Sequence, residues 1–302
     1  MHIALKVDVD TFRGTCEGVP ALLRLFDRHQ VRATFLFSLG PDHTGRALRR
    51  VFRPGFLRKV GRTSVVGHYG VRTLLYGVLL PGPHIGRRAG EILRAVAAAG
   101  HETGVHCYDH VRWQDYVAHR DPAWTRRELM AAMTVYAQVF GQNARVHGAA
   151  GWQINPSTLA LEEELGLTHA SDTRGTAPFW PVMAGVRSGC LQLPTTLPTL
   201  DEWIGRAGVT PENVHATILA ASRKPLPHGH VYTLHAELEG MKLLPVMATL
   251  LQVWRQEGVT LGTLGDLKAR LEGAMLPRHE VIWGTVEGRS GVLAMQGVEV
   301  GG

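Results

Sequence analysis

The sequence predicts an α/β fold, a closed or nearly closed strand-helix barrel, from three observations. Strand-like runs alternate with helical patterns, their number is about seven, and side chains suited to chemistry recur where predicted strands end. An open doubly wound sheet fits the alternation but not as well the count.

The strands are expected at HIALKVDVD (2–10), VRATFLFSL (31–39), HETGVHCY (101–108), ARVHGAAG (144–151), LTHASD (167–172), HVYTLHAE (230–237) and GVTL near residue 260. Helices are expected between them at 17–30, 86–100, 123–141, 155–166, 210–223 and 243–258, where apolar residues recur at three-to-four spacing and most runs end at Gly or a charged residue. With 302 residues, 45% hydrophobic and 19% charged, the chain can bury a large core as one domain. That domain is expected over residues 1–273, interrupted by an insertion at about 41–86 that is long for a strand-to-helix loop. Residues 274–302 read as a hairpin or tail.

The net charge of +6 is unevenly placed. Residues 46–88 hold ten Arg and Lys and no acid, which leaves −4 on the remainder. The segment RALRRVFRPGFLRKVGR alternates cations with apolar groups and leads into TLLYGVLLPGP, a run shorter than the ~20 residues that span a bilayer. An interfacial element is therefore expected, with Arg49, Arg50, Phe52, Phe56, Arg58 and Lys59 meeting an anionic membrane surface. No aromatic-interleaved basic strand or helix-turn-helix pattern points to nucleic acid. The first residues already form a strand, so no signal peptide or transmembrane helix is expected, and the protein is placed in the cytoplasm at the inner membrane. Cys16, Cys107 and Cys190 have no metal or disulfide spacing and fit free thiols.

Period-two alternation puts Asp8 and Asp10 on one face at the end of the first strand. His106 and His110 have the spacing that brings two imidazoles to one side of a helical turn. With Asp10 they make a two-histidine, one-carboxylate set for a divalent cation with open positions. Zinc, manganese, cobalt, nickel and iron all suit such donors. Asp8 fits a base for the attacking water, and His235, at another strand end, an acid for the leaving amine.

These motifs resemble the polysaccharide deacetylase, or NodB-homology, superfamily. The strings VDVDTFRGTCEGVP, FSLGPDHTGRALRR, GVHCYDHVRWQ, AAGWQ, SDTRGTAPFWP, LPTTLPTLDEWIGR, VYTLHAELEGM and WGTVEGRSG are similar to those of its 4-deoxy-4-formamido-L-arabinose-phosphoundecaprenol deformylases. The resemblance implies a distorted (β/α) barrel. It also implies removal of a formyl group from an aminoarabinose on undecaprenyl phosphate, a step towards lipid A modification and resistance to cationic peptides. An N-deacetylase of another glycan and a non-catalytic lipid-sugar binding protein are the alternatives. Carried over, Asp8 is the base, Asp10, His106 and His110 the metal ligands, and His235 the acid.

Two departures follow. Val9 separates aspartates that are adjacent in the wider superfamily, so the roles of Asp8 and Asp10 are interchangeable on sequence. Ala149 stands where an arginine usually braces the catalytic aspartate, and Arg174, beside Asp172 at another strand end, is the expected replacement. Trp152 is expected as a sugar platform or wall and Trp113 as a pocket residue. Glu237, ahead of Glu239, is expected to orient His235 or to read substrate hydroxyls.

Overall fold

The computed structural model describes residues 1–47 and 70–301. Arg49, Arg50, Phe52, Phe56, Arg58 and Lys59 lie outside the described residues. The strands are β1 His2–Val9, β2 Thr34–Ser38, β3 Glu102–Cys107, β4 Val146–His147, β5 His169–Ala170, β6 Trp180–Met183, β7 Val186–Arg187, β8 Leu191–Gln192, β9 His230–His235, β10 Thr260–Gly262, β11 Arg278–Gly284 and β12 Leu293–Val300.

Seven strands run parallel in the order β8-β5-β4-β3-β2-β1-β9, and β10 pairs with the first residues of β1. Between β8 and β9 the sheet does not close with a ladder. Instead the amides of Thr196 and Leu197 both donate to the Val231 carbonyl, at 3.1 and 3.2 Å. The barrel is thus distorted, as expected, and open on one side.

Every residue of β1 is buried, because both faces of the sheet are covered. Ile3, Leu5, Val7 and Val9 face outward into the main core with the helices. Ala4 faces inward with Leu36, Val146, Leu191 and Val231, a smaller core closed below by Leu264, Leu267 and Leu271. The same inward face carries Lys6 and Asp8 towards the other end of the barrel.

The longest helix, Pro122–Phe140, starts with Asp121 accepting from the Trp124 amide and Pro122 in the first turn, and stops at Gly141 with φ 71°. The helix Pro156–Glu164 is set by an Asn155–Thr158 capping box. Both fall where periodicity predicts them. Two-residue strands such as β8 carry no periodicity and escape prediction.

A second sheet, β12-β11-β6-β7, lies beside the barrel. The C-terminal segment forms a hairpin whose strand β11 pairs with β6, and Val281 and Ala294 pack with Ala149, Ile154 and Phe179. Among the described residues no helix is long and apolar enough to cross a membrane.

Candidate active site

In the β1–β9 ladder Asp8 is the register partner of His235. The same alternation continues through Leu36 and Gly104, so His106, two residues beyond Gly104, projects from the same inner face. Asp10 follows at the end of β1, and its Oδ1 lies 3.3 Å from Nε2 of His106 and 3.3 Å from Nε2 of His110. The three donors all lie within 4.8 Å of one another.

The two histidines do not share a helical turn. His106 belongs to β3, whereas His110 opens the helix His110–Tyr116. They converge because the chain folds back sharply at the strand-to-helix turn, which brings the ring centroids to 5.3 Å. Asp109 makes that turn: its Oδ1 caps the helix by accepting from the Arg112 amide at 3.0 Å, and its Oδ2 meets His43 Nδ1 at 2.6 Å.

A divalent cation fits these residues. His106 Nδ1 lies 2.5 Å from the Gly148 carbonyl and therefore carries the proton, which leaves the Nε2 lone pair free for a metal. Asp10 Oδ1 is buried without a hydrogen-bond donor. Burial opposes its charge, yet the His110 and His106 imidazoles hold the Asp10 carboxyl well below the usual range.

Asp8 is grouped differently. Its Oδ2 lies 3.5 Å from Lys6 Nζ, and its Oδ1 is a buried atom without a hydrogen-bond partner, 3.9 Å from His106 Nδ1. Lys6 is fully buried; its ammonium donates to the Ser171 carbonyl at 2.8 Å. Burial pushes its pKa down, opposed by Asp8 and Asp172. The space it enters exists because residue 148 is glycine: a Cβ there would lie 2.2 Å from Leu36 Cδ1 and 3.2 Å from Lys6 Cε.

Arg174 is not the brace of Asp8. Its guanidinium is held by Glu202, with Nη1 to Oε1 at 2.6 Å, and by the Leu197 carbonyl. Lys6, from the same strand as Asp8, stands in the bracing position. The signal was present in the sequence, since Lys6, Asp8 and Asp10 alternate in K-V-D-V-D.

Other expected residues are redistributed. Glu237 does not orient His235; its Oε1 accepts from the amides of Asp10 and Thr11 and from the Thr11 hydroxyl, at 3.1, 2.8 and 2.8 Å. Burial, reinforced by Asp10, pushes the Glu237 carboxyl well up. Glu239 holds His235 instead, accepting from its backbone amide at 2.9 Å and from Tyr232 Oη at 3.1 Å, and burial pushes its carboxyl up to about 7 against the pull of His235. His235 Nδ1 is buried without a partner.

Trp152 is not an open platform. Its ring is only 2% exposed, and Nε1 donates to Thr195 Oγ1 at 3.3 Å. Trp113 is a core residue, packed on Trp124 and His147 with Nε1 donating to the Gln153 carbonyl. Asp172 is not grouped with the three metal donors: it accepts from the Ala149 amide at 2.7 Å and from Gln192 Nε2 at 2.6 Å, fixing the loop after β4.

Histidines and carboxylates that converge at one end of a parallel strand-helix barrel fit a class, the hydrolases with a deacetylase-type fold. The polysaccharide deacetylase family model matches residues 2–170. Over 295 residues the chain is 34% identical to a protein of Shewanella sediminis (strain HAW-EB3) described as a 4-deoxy-4-formamido-L-arabinose-phosphoundecaprenol deformylase, covering 97% of this chain and 94% of that one. A protein of Wigglesworthia glossinidia brevipalpis with the same description is 31% identical over 293 residues, covering 94% and 98%. In fold, the chain is similar to the crystal structure of a Mycobacterium smegmatis protein described as a polysaccharide deacetylase, with a TM-score of 0.62, 16% identity and 94% of each chain covered. The chain belongs to the polysaccharide deacetylase family, on the branch that contains these deformylases, and is a hydrolase of amide bonds.

Proposed function

We propose that this hydrolase removes the N-formyl group from 4-deoxy-4-formamido-L-arabinose carried on undecaprenyl phosphate, releasing formate during lipid A modification that confers resistance to polymyxin and related cationic peptides. The chief support is the full-length likeness to two proteins described as acting on that sugar.

Asp10, His106 and His110 would hold one divalent cation of the zinc, manganese, cobalt, nickel or iron type. Such a cation, when bound, supplies Lewis acidity towards a carbonyl oxygen and water. Asp8 takes the proton of the attacking water, with Lys6 Nζ 3.5 Å from its Oδ2 to hold the carboxylate in place. As the C–O bond forms and the C–N bond breaks, His235 delivers a proton to the departing amine. The side-by-side register of Asp8 and His235 suits this division of labour.

The enzyme works on the cytoplasmic face of the inner membrane through its basic insertion. Within that segment, Val71 and Leu79 are 64% and 75% exposed, which adds apolar surface suited to an interface. Neutralising Arg49, Arg50, Arg58 and Lys59 together is expected to weaken flotation with anionic liposomes; binding at full strength would remove this part of the proposal.

A formyl group differs from acetyl by one methyl, worth only ~1–3 kcal/mol in a pocket. The test is therefore product identity: formate and acetate release from paired N-formyl and N-acetyl lipid-linked sugars, with and without a chelator. Formate release that stops on chelation and returns with added metal is expected. Acetate as the favoured product would replace this substrate with an N-acetyl one, and no release of either would remove the enzymatic assignment.

A further inference from the structure

The loop between β11 and β12 reaches the barrel at Trp152. The Arg289 guanidinium lies 4.4 Å from the indole ring centroid, Arg174 5.1 Å and Lys6 5.3 Å. Three cations therefore gather on one ring whose π system attracts them.

Arg289 is held rigidly. Its Nε donates to Glu202 Oε1 at 2.8 Å, and its Nη2 to Thr199 Oγ1 at 2.9 Å and Asp201 Oδ1 at 3.2 Å. Because Arg174 donates to the same Glu202 oxygen, one buried carboxylate ties both guanidiniums together. The approach depends on Gly288, which has φ +90° and whose Cβ, if present, would lie 2.1 Å from the Glu202 carbonyl oxygen.

The rest of the hairpin grips the same neighbourhood. Gln153 Nε2 donates to the Val292 carbonyl at 2.6 Å. The Arg174 amide donates to Ala294 O at 2.9 Å, and the Gln296 amide to Arg174 O at 2.8 Å. Burial works against the charge on Arg289, and Asp201, Glu202 and Asp8 more than offset it, so this cation lies within electrostatic reach of Asp8.

We propose that Arg289 is a positioning residue of the active site: it fixes Trp152, Trp152 confines Lys6, and Lys6 holds the Asp8 carboxylate. The C-terminal hairpin is then a structural part of the catalytic centre and not an appendage to the barrel. The kinetic consequence rests on the hydrolase mechanism above; the packing consequence does not.

The test uses full-length Arg289→Ala and Arg289→Lys. In Arg289→Ala, kcat is expected to fall about 10–100-fold, the scale of a small misplacement at a reacting group, while KM and bound metal stay at wild-type values. Arg289→Lys should recover part of the loss, and added guanidinium should restore part of kcat in Arg289→Ala but not in wild type. Independently, in metal-free protein, amide hydrogen exchange over 149–153 should be faster in Arg289→Ala. Wild-type kcat in Arg289→Ala would overturn the proposal, as would a loss that tracks only a lowered melting temperature and shows no guanidinium rescue. If wild type releases no acyl product, the mechanism fails, and the exchange measurement alone decides: unchanged exchange over 149–153 then overturns the proposal.

Discussion

Two clusters in this molecule contain the same chemical groups and do opposite things. Asp10, His106 and His110 stand at the rim, and His147, Glu162 and Asp172 lie behind them, all three wholly buried. In the rear cluster the groups pair with one another: His147 Nδ1 lies 2.6 Å from Glu162 Oε1 and 3.2 Å from Asp172 Oδ1, while His147 Nε2 and Glu162 Oε2 are buried without hydrogen-bond partners. Burial disfavours the imidazolium, but Asp172 overrules it and the His147 pKa rises to about 10, so the ring keeps its proton and has no lone pair for a metal. At the rim, His106 Nδ1 donates to the Gly148 carbonyl, which keeps the Nε2 lone pair free, and Asp10 Oδ1 is buried without a donor. Residue type makes a cluster eligible for a cation; what separates these two is whether the histidine keeps a nitrogen lone pair or is held protonated by its carboxylate neighbours.

The sharpest way to break this contrast is a pair of variants. Asp10→Asn is expected to lose bound metal in elemental analysis and about 10³-fold or more in turnover, since a divalent ion supplies several kcal/mol of charge stabilisation. His147→Gln should keep the wild-type metal stoichiometry. If His147→Gln loses metal at saturating supply, the rear cluster is not merely structural. Its expected effect is on folding: leaving the Asp172 carboxylate buried without its cation should cost about 3–5 kcal/mol in chemical denaturation.

A smaller effect appears with pH. A histidine whose pKa is raised on folding stabilises fully below its unfolded value of 6.5 and loses that contribution as pH climbs towards about 10. Glu162 acts in the same direction: burial raises its pKa from 4.5 to about 8, so the unfolded state sheds its proton first and stability falls between those values. Wild-type stability should thus decline from pH 6.5 to 10, with a shallower decline in His147→Gln; parallel slopes would show that His147 does not titrate as described. The smallest effect belongs to the exposed end of the Glu162 helix, where Arg126 pairs with Glu164 at 2.5 Å. Arg126→Ala should leave the melting temperature unchanged within error, because solvent screens such a pair.

Much of the barrel was legible because its long elements announce themselves. The helix Pro122–Phe140 and β1 are marked by a cap, a proline or an unbroken apolar alternation. The rim donors were legible for a similar reason, since Asp8, Asp10, His106 and His235 sit at strand ends. What escaped was set by distance in the chain. Nothing local to Arg289 connects it with Trp152, 137 residues earlier, and nothing local to Arg174 says that Glu202 and not Asp8 will claim it. Lys6 is the exception: its spacing is legible, but a lysine inside a strand reads as a solvated residue until both faces are known to be covered.

The pairing of β1 with β9 and β10 also bears on how this protein is made. During synthesis β1 gains β2 early, but its other edge waits for residues 230–235, and its first residues wait for 260–262. At about 5–20 residues per second, the nascent chain carries that unpaired, apolar strand edge for roughly ten to fifty seconds. Premature truncation upstream of β9 leaves β1 with no permanent neighbour on that side. Asp8 therefore meets His235 only after about 225 further residues have been made.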